Sequence, residues 1–286
     1  MNLNIKINPN QQQNLPGEEQ KMDPIPIHDN PDYIGSGKLK NKVAIITGGD
    51  SGIGKAVAIA FAKEGAKLVI SYLNEDEDAL DTKAQIEKYN GQCLLVKGDL
   101  SVSKMSAYLV GQTIEKYGKL DILVNHAGEQ YQTDDLSDVN DKNLEDIFQV
   151  NVFSMFYLTK EALKHMQSGG AIINTVSVVA YKGNPKLLDY SATKGANLAF
   201  TRALAASLAS KGIRVNAVAP GPIWTPLIPA SFSPDKLEEF GKDTPLKRPG
   251  QPFELAPAYV YLASEIDSSY VTGQVIHVNG GIPVNS

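Results

Sequence analysis

A chain of 286 residues, 42% hydrophobic and 21% charged, has the composition of a soluble globular protein and can bury a large core. A net charge of −5 and only three arginines exclude a nucleic-acid surface, and no uncharged apolar run approaches the ~18 residues of a membrane span. The single cysteine, Cys93, excludes an internal disulfide and a cysteine-based metal site, and fits a reducing cytoplasm.

Residues 1–40 form an N-terminal extension unlike the rest. Pro9, Pro16, Pro24, Pro26 and Pro31 forbid regular helix, and no apolar period runs through them. The segment lacks the apolar centre of a signal peptide. Two readings stand. It is a solvated, disordered tail, or a strap whose Ile25, Ile27, Tyr33 and Ile34 recover their ordering entropy by lying along an existing surface. Lying outside every motif, it is not expected to touch the chemistry.

From Lys42 onward, short apolar runs alternate with longer amphipathic segments. The strand candidates are residues 42–48, 67–73, 92–99, 120–128, 171–177, 213–221 and 274–281, most of them nearly continuous in Val, Ile and Leu, as strands covered on both faces must be. Between them, residues 54–64, 75–89, 103–117, 144–166, 190–209 and 254–263 carry apolar residues at helical spacing. Strict alternation with right-handed crossovers gives an α/β fold over residues 41–286. It is a single Rossmann-type, doubly wound parallel sheet of about seven strands with helices on both faces.

The first strand runs into four glycines in seven positions, "GGDSGIG" from Gly48 to Gly54. A helix N-terminus offers unpaired N–H groups and partial positive charge to an anion. Gly48 can make the tight turn, Gly52 can let a pyrophosphate approach the backbone, and Gly54 can let the helix pack close to the strand. The spacing, T-G-x-x-x-G-x-G, differs from the common G-x-G-x-x-G fingerprint and resembles the glycine loop of the short-chain dehydrogenase/reductase family.

The resemblance continues in order through the chain, from about Gly37 to the C-terminus. "NHAG" (Asn125, His126, Ala127, Gly128) is similar to the family's N-N-A-G, with histidine in place of one asparagine. Asp99, followed by Leu100, stands where the family holds the adenine amino group. "PGPIWT" gives Pro220, Gly221, Ile223 and Thr225 at the motif beside the nicotinamide. "YSATK" gives Tyr190 and Lys194, with Ser177 upstream, and Asn151 matches the asparagine that anchors a water on the family's proton path. The extension and "GSGKL" resemble a bacterial subgroup with a Pro-rich N-terminus.

The resemblance implies a nicotinamide cofactor, NAD or NADP, held by Gly48, Asp50, Ser51, Gly52, Ile53, Gly54, Tyr72, Leu73 and the residues just named. It implies a small-molecule carbonyl or alcohol substrate, Lys194 on the nicotinamide ribose and Ser177 on the substrate oxygen. It further implies a mobile lid at Trp224 and the residues after it. Residues 144–166 and 190–209 would be long helices that pair across the two-fold axes of a homotetramer.

The chemistry can be weighed without the name. A lone Tyr/Lys pair at i, i+4 is an ordinary helix-surface contact, and one is expected by chance here. Context gives it meaning, because Tyr190 opens a helix after a strand ending at Ser177, and C-terminal strand ends line the ligand crevice of such sheets. A free phenol has a pKa of ~10, and a lysine ammonium ~4 Å away would lower it towards ~7, where proton transfer is efficient. His28, His126, His165 and His277 lack metal-ligand spacing, so no metal site is expected. The acidic run 75–78 suits a first helical turn. Tyr72 and Leu73 supply neither the acid that selects NAD nor the arginine that accepts NADP, and Asp50, taken as an exposed charge, decides little. Gln130, Tyr131, Asn184 and Leu187 are expected to shape a substrate pocket. A catalytically idle NAD(P)-binding or sensing protein is the alternative, but it would be missing Ser177, Tyr190 or Lys194, and none is missing.

Overall fold

Val, Ile and Leu on both faces of a strand can be hidden only where both faces of the sheet are covered. The computed structural model, which describes residues 3–284, shows that arrangement. The strands are β1 (Val43–Thr47), β2 (Lys67–Tyr72), β3 (Gln92–Lys97), β4 (Ile122–Asn125), β5 (Ala171–Thr175), β6 (Arg214–Pro220) and β7 (Val275–Val278). They form one seven-stranded sheet in the order β3-β2-β1-β4-β5-β6-β7, parallel at every pairing.

The period of two sorts the strand residues between two cores. On one face Ala44, Ile46, Leu68 and Ile70 meet α1 (Gly52–Lys63) and α10 (Ala256–Ala263), with Phe61 and Tyr259 fully buried. On the other, Ile45, Val69, Leu123, Ile172 and Val215 meet α3 (Ser103–Tyr117), α5 (Ser154–Ala162) and α7 (Leu188–Leu208). Helix α2 (Asp76–Lys88) packs beside α1 and β3. Strand order reverses at β1, whose neighbours are β2 and β4. The crevice at this switch point opens at the strands' C-terminal ends.

Two expected helices differ. Residues 144–166 are helical as expected, but not as a plain α-helix. Here α4 (Asp141–Phe148), a π-helical turn (Gln149–Phe153) and α5 follow without a break to Ala162, and the extra residue in the turn bulges the helix at Asn151. Asn140 starts α4 by accepting from the N–H groups of Lys142 and Asn143. The helix expected from 254 instead opens as a 3₁₀ turn (Pro252–Glu254), and Pro257 sits in the first turn of α10.

The N-terminal segment is ordered against its own chain, and the apolar residues expected to hold it do so only in part: Tyr33 packs against the first core and donates to Glu64. Ile25 and Ile34 remain exposed, the latter at 87%. Met22 is buried instead in a small cluster with Trp224, Ile228 and Leu237, against which Ile5 and Ile7 pack. The Trp224 indole N–H donates to Pro24 O at 2.7 Å. Trp224, expected in a mobile lid, is therefore a fully buried anchor. The short helices after it, α8 (Leu227–Ser231) and α9 (Pro234–Glu238), complete that region.

Glu19 makes the deepest anchor. Its carboxylate accepts from Gly52 N–H at 2.8 Å and from Lys55 Nζ at 2.6 Å, and lies 2.6 Å from His28 Nε2. Burial alone would raise its pKa, but hydrogen bonds and charge from His28 and Lys55 outweigh burial and hold it below the ordinary value. The sign follows from linkage. A depressed folded-state pKa stabilises above the unfolded pKa of ~4.3, and that stabilisation is lost as pH falls through the lower folded value. The segment should therefore be released by acid. Glu19→Ala, which leaves Lys55 with Asp81 alone and the buried Gly52 N–H without an acceptor, should cost roughly 1–3 kcal/mol and speed proteolysis within residues 10–30 at pH 7. Unchanged clipping and unfolding curves would refute the anchor.

Candidate active site

Helix α1 starts at the crevice because the glycine loop lets it come so close. A side chain on Gly54 would place its Cβ 2.0 Å from Gly48 O, so α1 rests directly on the loop. Gly52 has φ +51°, and a Cβ there would meet the Thr225 side chain at 3.1 Å. Both positions thus demand glycine, and the demand at Gly52 comes from the Pro220–Thr225 loop as well as from any ligand.

A cavity of about 620 Å³ runs from this loop across the ends of β1, β4, β5 and β6. At one end it is walled by Asp50, Ser51, Tyr72, Leu73, Asp99 and Leu100, with Gly48, Gly52 and Ile53 beneath. At the other end are Ser177, Tyr190 and Lys194, with Ala127, Gly128, Pro220, Gly221, Ile223 and Thr225 between the two. Most of the residues expected at the site are therefore brought to one space. Gly54 lies beneath it and serves packing. Asn125 is a correction, because it does not line the cavity. Its amide donates to Asn174 Oδ1 at 2.9 Å and Thr159 Oγ1 at 3.3 Å, stitching β4 to β5 and α5. Tyr131 also stays outside the lining, whereas Gln130, Asn184 and Leu187 belong to it.

Tyr190 lies in the first turn of α7, where its N–H donates to Asp189 Oδ1 at 2.7 Å, and Lys194 follows one turn later. Lys194 Nζ donates to Thr175 O at 2.9 Å and sits 5.4 Å from the centre of the Tyr190 ring. The expected lowering of Tyr190 is not found. Burial pushes it up to about 12, partly opposed by its hydrogen bond with Ser177. Burial likewise takes Lys194 down to about 8. Desolvation dominates because the ammonium hydrogen-bonds to a strand carbonyl over the ring, not to the phenol oxygen.

Asn151 is buried in the π turn with its amide fully engaged. Oδ1 accepts from Glu129 N–H at 2.9 Å, while Nδ2 donates to Glu129 O at 2.9 Å and Thr193 Oγ1 at 3.1 Å. It ties the loop after β4 to α7. His126 Nδ1 lies 3.1 Å from Thr175 Oγ1, and burial drives its pKa down to about 3, leaving it neutral at pH 7.

Pro16, Gly17 and Glu75 also line the cavity, and the sequence reading missed all three. The Pro-Gly pair carried only a turn signal, and nothing local places it beside Pro226 and the glycine loop. Among the described residues no group of His, Cys, Asp and Glu is placed to hold a metal, and no helix is long and apolar enough to cross a membrane.

A glycine-floored crevice at a switch point is where a doubly wound fold takes a nucleotide, and here it ends in a Ser-Tyr-Lys cluster. A family model described as enoyl-(acyl carrier protein) reductase matches residues 48–283, and the chain belongs to the short-chain dehydrogenase/reductase family. It is 59% identical to the oxidoreductase YhdF of Bacillus subtilis (strain 168), over 96% of this chain and 94% of that one. It is 49% identical to the glucose and ribitol dehydrogenase of Daucus carota, with 97% of each covered. A Burkholderia cenocepacia J2315 short chain dehydrogenase, solved in complex with NADP, superposes with a TM-score of 0.80 at 28% identity, over 85% of this chain and 98% of that one. The family and these neighbours make the cofactor NAD(P).

Gly54→Ala should lift α1 off the loop and destabilise the fold by about 1–3 kcal/mol, as overpacking does. A thermal unfolding curve matching the parent would show that the loop yields without loss.

Proposed function

We propose that this chain interconverts a carbonyl and a primary or secondary alcohol, with Tyr190 as the general acid/base. The observation that carries this reading is the meeting of Ser177, Tyr190 and Lys194 at one end of a cavity whose other end is the glycine loop. The cavity fits a dinucleotide, since its floor is backbone at the N-terminus of α1 and Ser51 does not cap that helix with its side chain. The Ser51 and Ile53 backbone would hold the pyrophosphate, with Gly48 and Gly52 leaving room for it although the Gly52 N–H is already given to Glu19. Asp99 and Leu100 would hold the adenine, and Ala127, Gly128 and Pro220–Thr225 the nicotinamide half. When bound, the nicotinamide supplies or accepts the hydride.

Ser177 would hydrogen-bond the substrate oxygen while Tyr190 Oη gives or takes its proton. Lys194 would favour the phenolate by its charge and hold a ribose hydroxyl, two tasks for one ammonium. Asn151, its amide already taken, would act on the proton path by holding the Gly128–Gln130 loop and α7 in register. Gln130, whose buried Nε2 has no partner, and Asn184 offer polar groups to a hydroxylated substrate. The Daucus carota relative's name favours sugars and polyols.

We further propose a homotetramer in the cytoplasm. Phe153 and Phe156 are solvent-exposed on the π turn and α5, and Phe156 stacks on Phe200 of α7 at 4.1 Å between ring centres. Such an aromatic face suits a second copy of the chain, and light scattering of Phe156→Asp tests it by loss of assembly.

Tyr190→Phe should reduce turnover by roughly 10²–10⁴-fold, followed at 340 nm with polyols and aldehydes, with dinucleotide affinity changed only a few-fold. Lys194→Ala should weaken both turnover and binding. A fully active Tyr190→Phe enzyme would overturn the assigned proton donor.

A further inference from the structure

We propose that the chain selects NAD(H) over NADP(H), with Asp50 and Glu75 as the discriminating carboxylates and the N-terminal segment sequestering Lys55, the cation nearest the glycine loop. The inference rests on the reading of the cavity as a nicotinamide-dinucleotide site.

In doubly wound folds the end of the second strand meets the adenosine ribose. An acid there suits a free 2′-hydroxyl, and an arginine accommodates a 2′-phosphate. Here that end is indecisive, because Tyr72 Oη donates to Asp76 at 2.9 Å and Leu73 brings no charge. The carboxylates stand beside it instead. Asp50 is only 6% exposed and lines the cavity, so its charge is not screened as a loop charge in water would be. Glu75, just ahead of α2, lines the same end.

Asp50 lies in the negative field of its neighbours. Burial first, then Glu75, Asp78 and Glu19, raise it to about 7, so it is partly ionised at pH 7 and a further negative charge beside it is opposed. A phosphate bearing close to two negative charges would enter that field. The lysines that line the cavity, Lys182, Lys186, Lys194 and Lys236, follow β5 or sit on α7 and α9, away from the adenosine end.

Lys55 is the cation best placed to compensate, one turn into α1. It is 4% exposed and already bound, 2.6 Å from Glu19 Oε1 and 2.5 Å from Asp81 Oδ2. Lys97, at the end of β3, is paired with Asp76 at 2.6 Å and lies outside the cavity lining. A 2′-phosphate thus meets carboxylates and no available ammonium, whereas a 2′-hydroxyl can donate to them.

Calorimetric titration of the full-length protein with NAD⁺ and NADP⁺ reads the preference directly, and 5′-AMP against adenosine 2′,5′-bisphosphate places it at the ribose. NADP⁺ should bind at least about 100-fold more weakly than NAD⁺. Asp50→Asn should narrow the ratio about tenfold, chiefly by tightening NADP⁺. Glu75→Gln, at a half-buried position less critical to folding, should narrow it several-fold. Equal or tighter NADP⁺ binding by the parent protein, or variants that leave the ratio unchanged, would overturn the selectivity. Failure of both dinucleotides to bind would overturn the proposed function itself, so the two failures read differently.

Discussion

The divergence of the chain at β1 and β4 is the constraint on which the rest of the structure depends. These strands are neighbours in the sheet, yet β1 leads into α1 on one face and β4 leads on to α4 and α5, with α5 packed on the other. Their C-terminal ends part, and no side chain of the sheet can fill the gap. The glycine loop follows one strand and the "NHAG" turn the other, so both motifs border the same crevice. Ser177, beyond β5, and Pro220, at the end of β6, extend it sideways. The site exists because the sheet order reverses there.

Within the crevice, burial is the largest electrostatic influence. It raises Tyr190, lowers Lys194 and His126, and raises Asp50. Each shift disfavours a charge, as removal from water must. At pH 7 a ligand arriving here meets Tyr190 and His126 uncharged, while Lys194 and Asp50 titrate close enough to neutral pH that whatever lies beside them sets their charge. Glu19 is the counterexample, since Lys55 and His28 within hydrogen-bond reach are enough to overcome burial and hold its pKa below the ordinary value.

The N-terminal segment shows how one charge can tie an extension to a site. Buried side chains, Glu19, Met22 and His28 among them, hold residues that lack any regular period. Because Glu19 reaches Gly52 and Lys55, the segment bears on the first turn of α1, and Pro16 and Gly17 become part of the cavity wall. An extension that seemed separable from the chemistry borders it.

The sequence by itself determined the α/β class, seven parallel strands and the grouping of most site residues. Those depend on local signals: apolar runs of strand length, glycines at fixed offsets, and a tyrosine four residues before a lysine. Tertiary structure decided the rest. Asn125 turned into the sheet because Asn174 and Thr159 faced it, and the helix over 144–166 took a π turn at Asn151, where Glu129 and Thr193 met its amide. The ionisation of Tyr190 depended on the depth of the crevice and the direction of Lys194, neither of which spacing along a helix reveals. Asp50 reads as a loop charge until Glu19, Glu75 and Asp78 are seen around it. Glu19 itself has no nearby residue that explains its place on α1, because its partners there lie 33 and 36 residues away along the chain. Long-range burial is a property of the whole packed chain, and no local pattern encodes it.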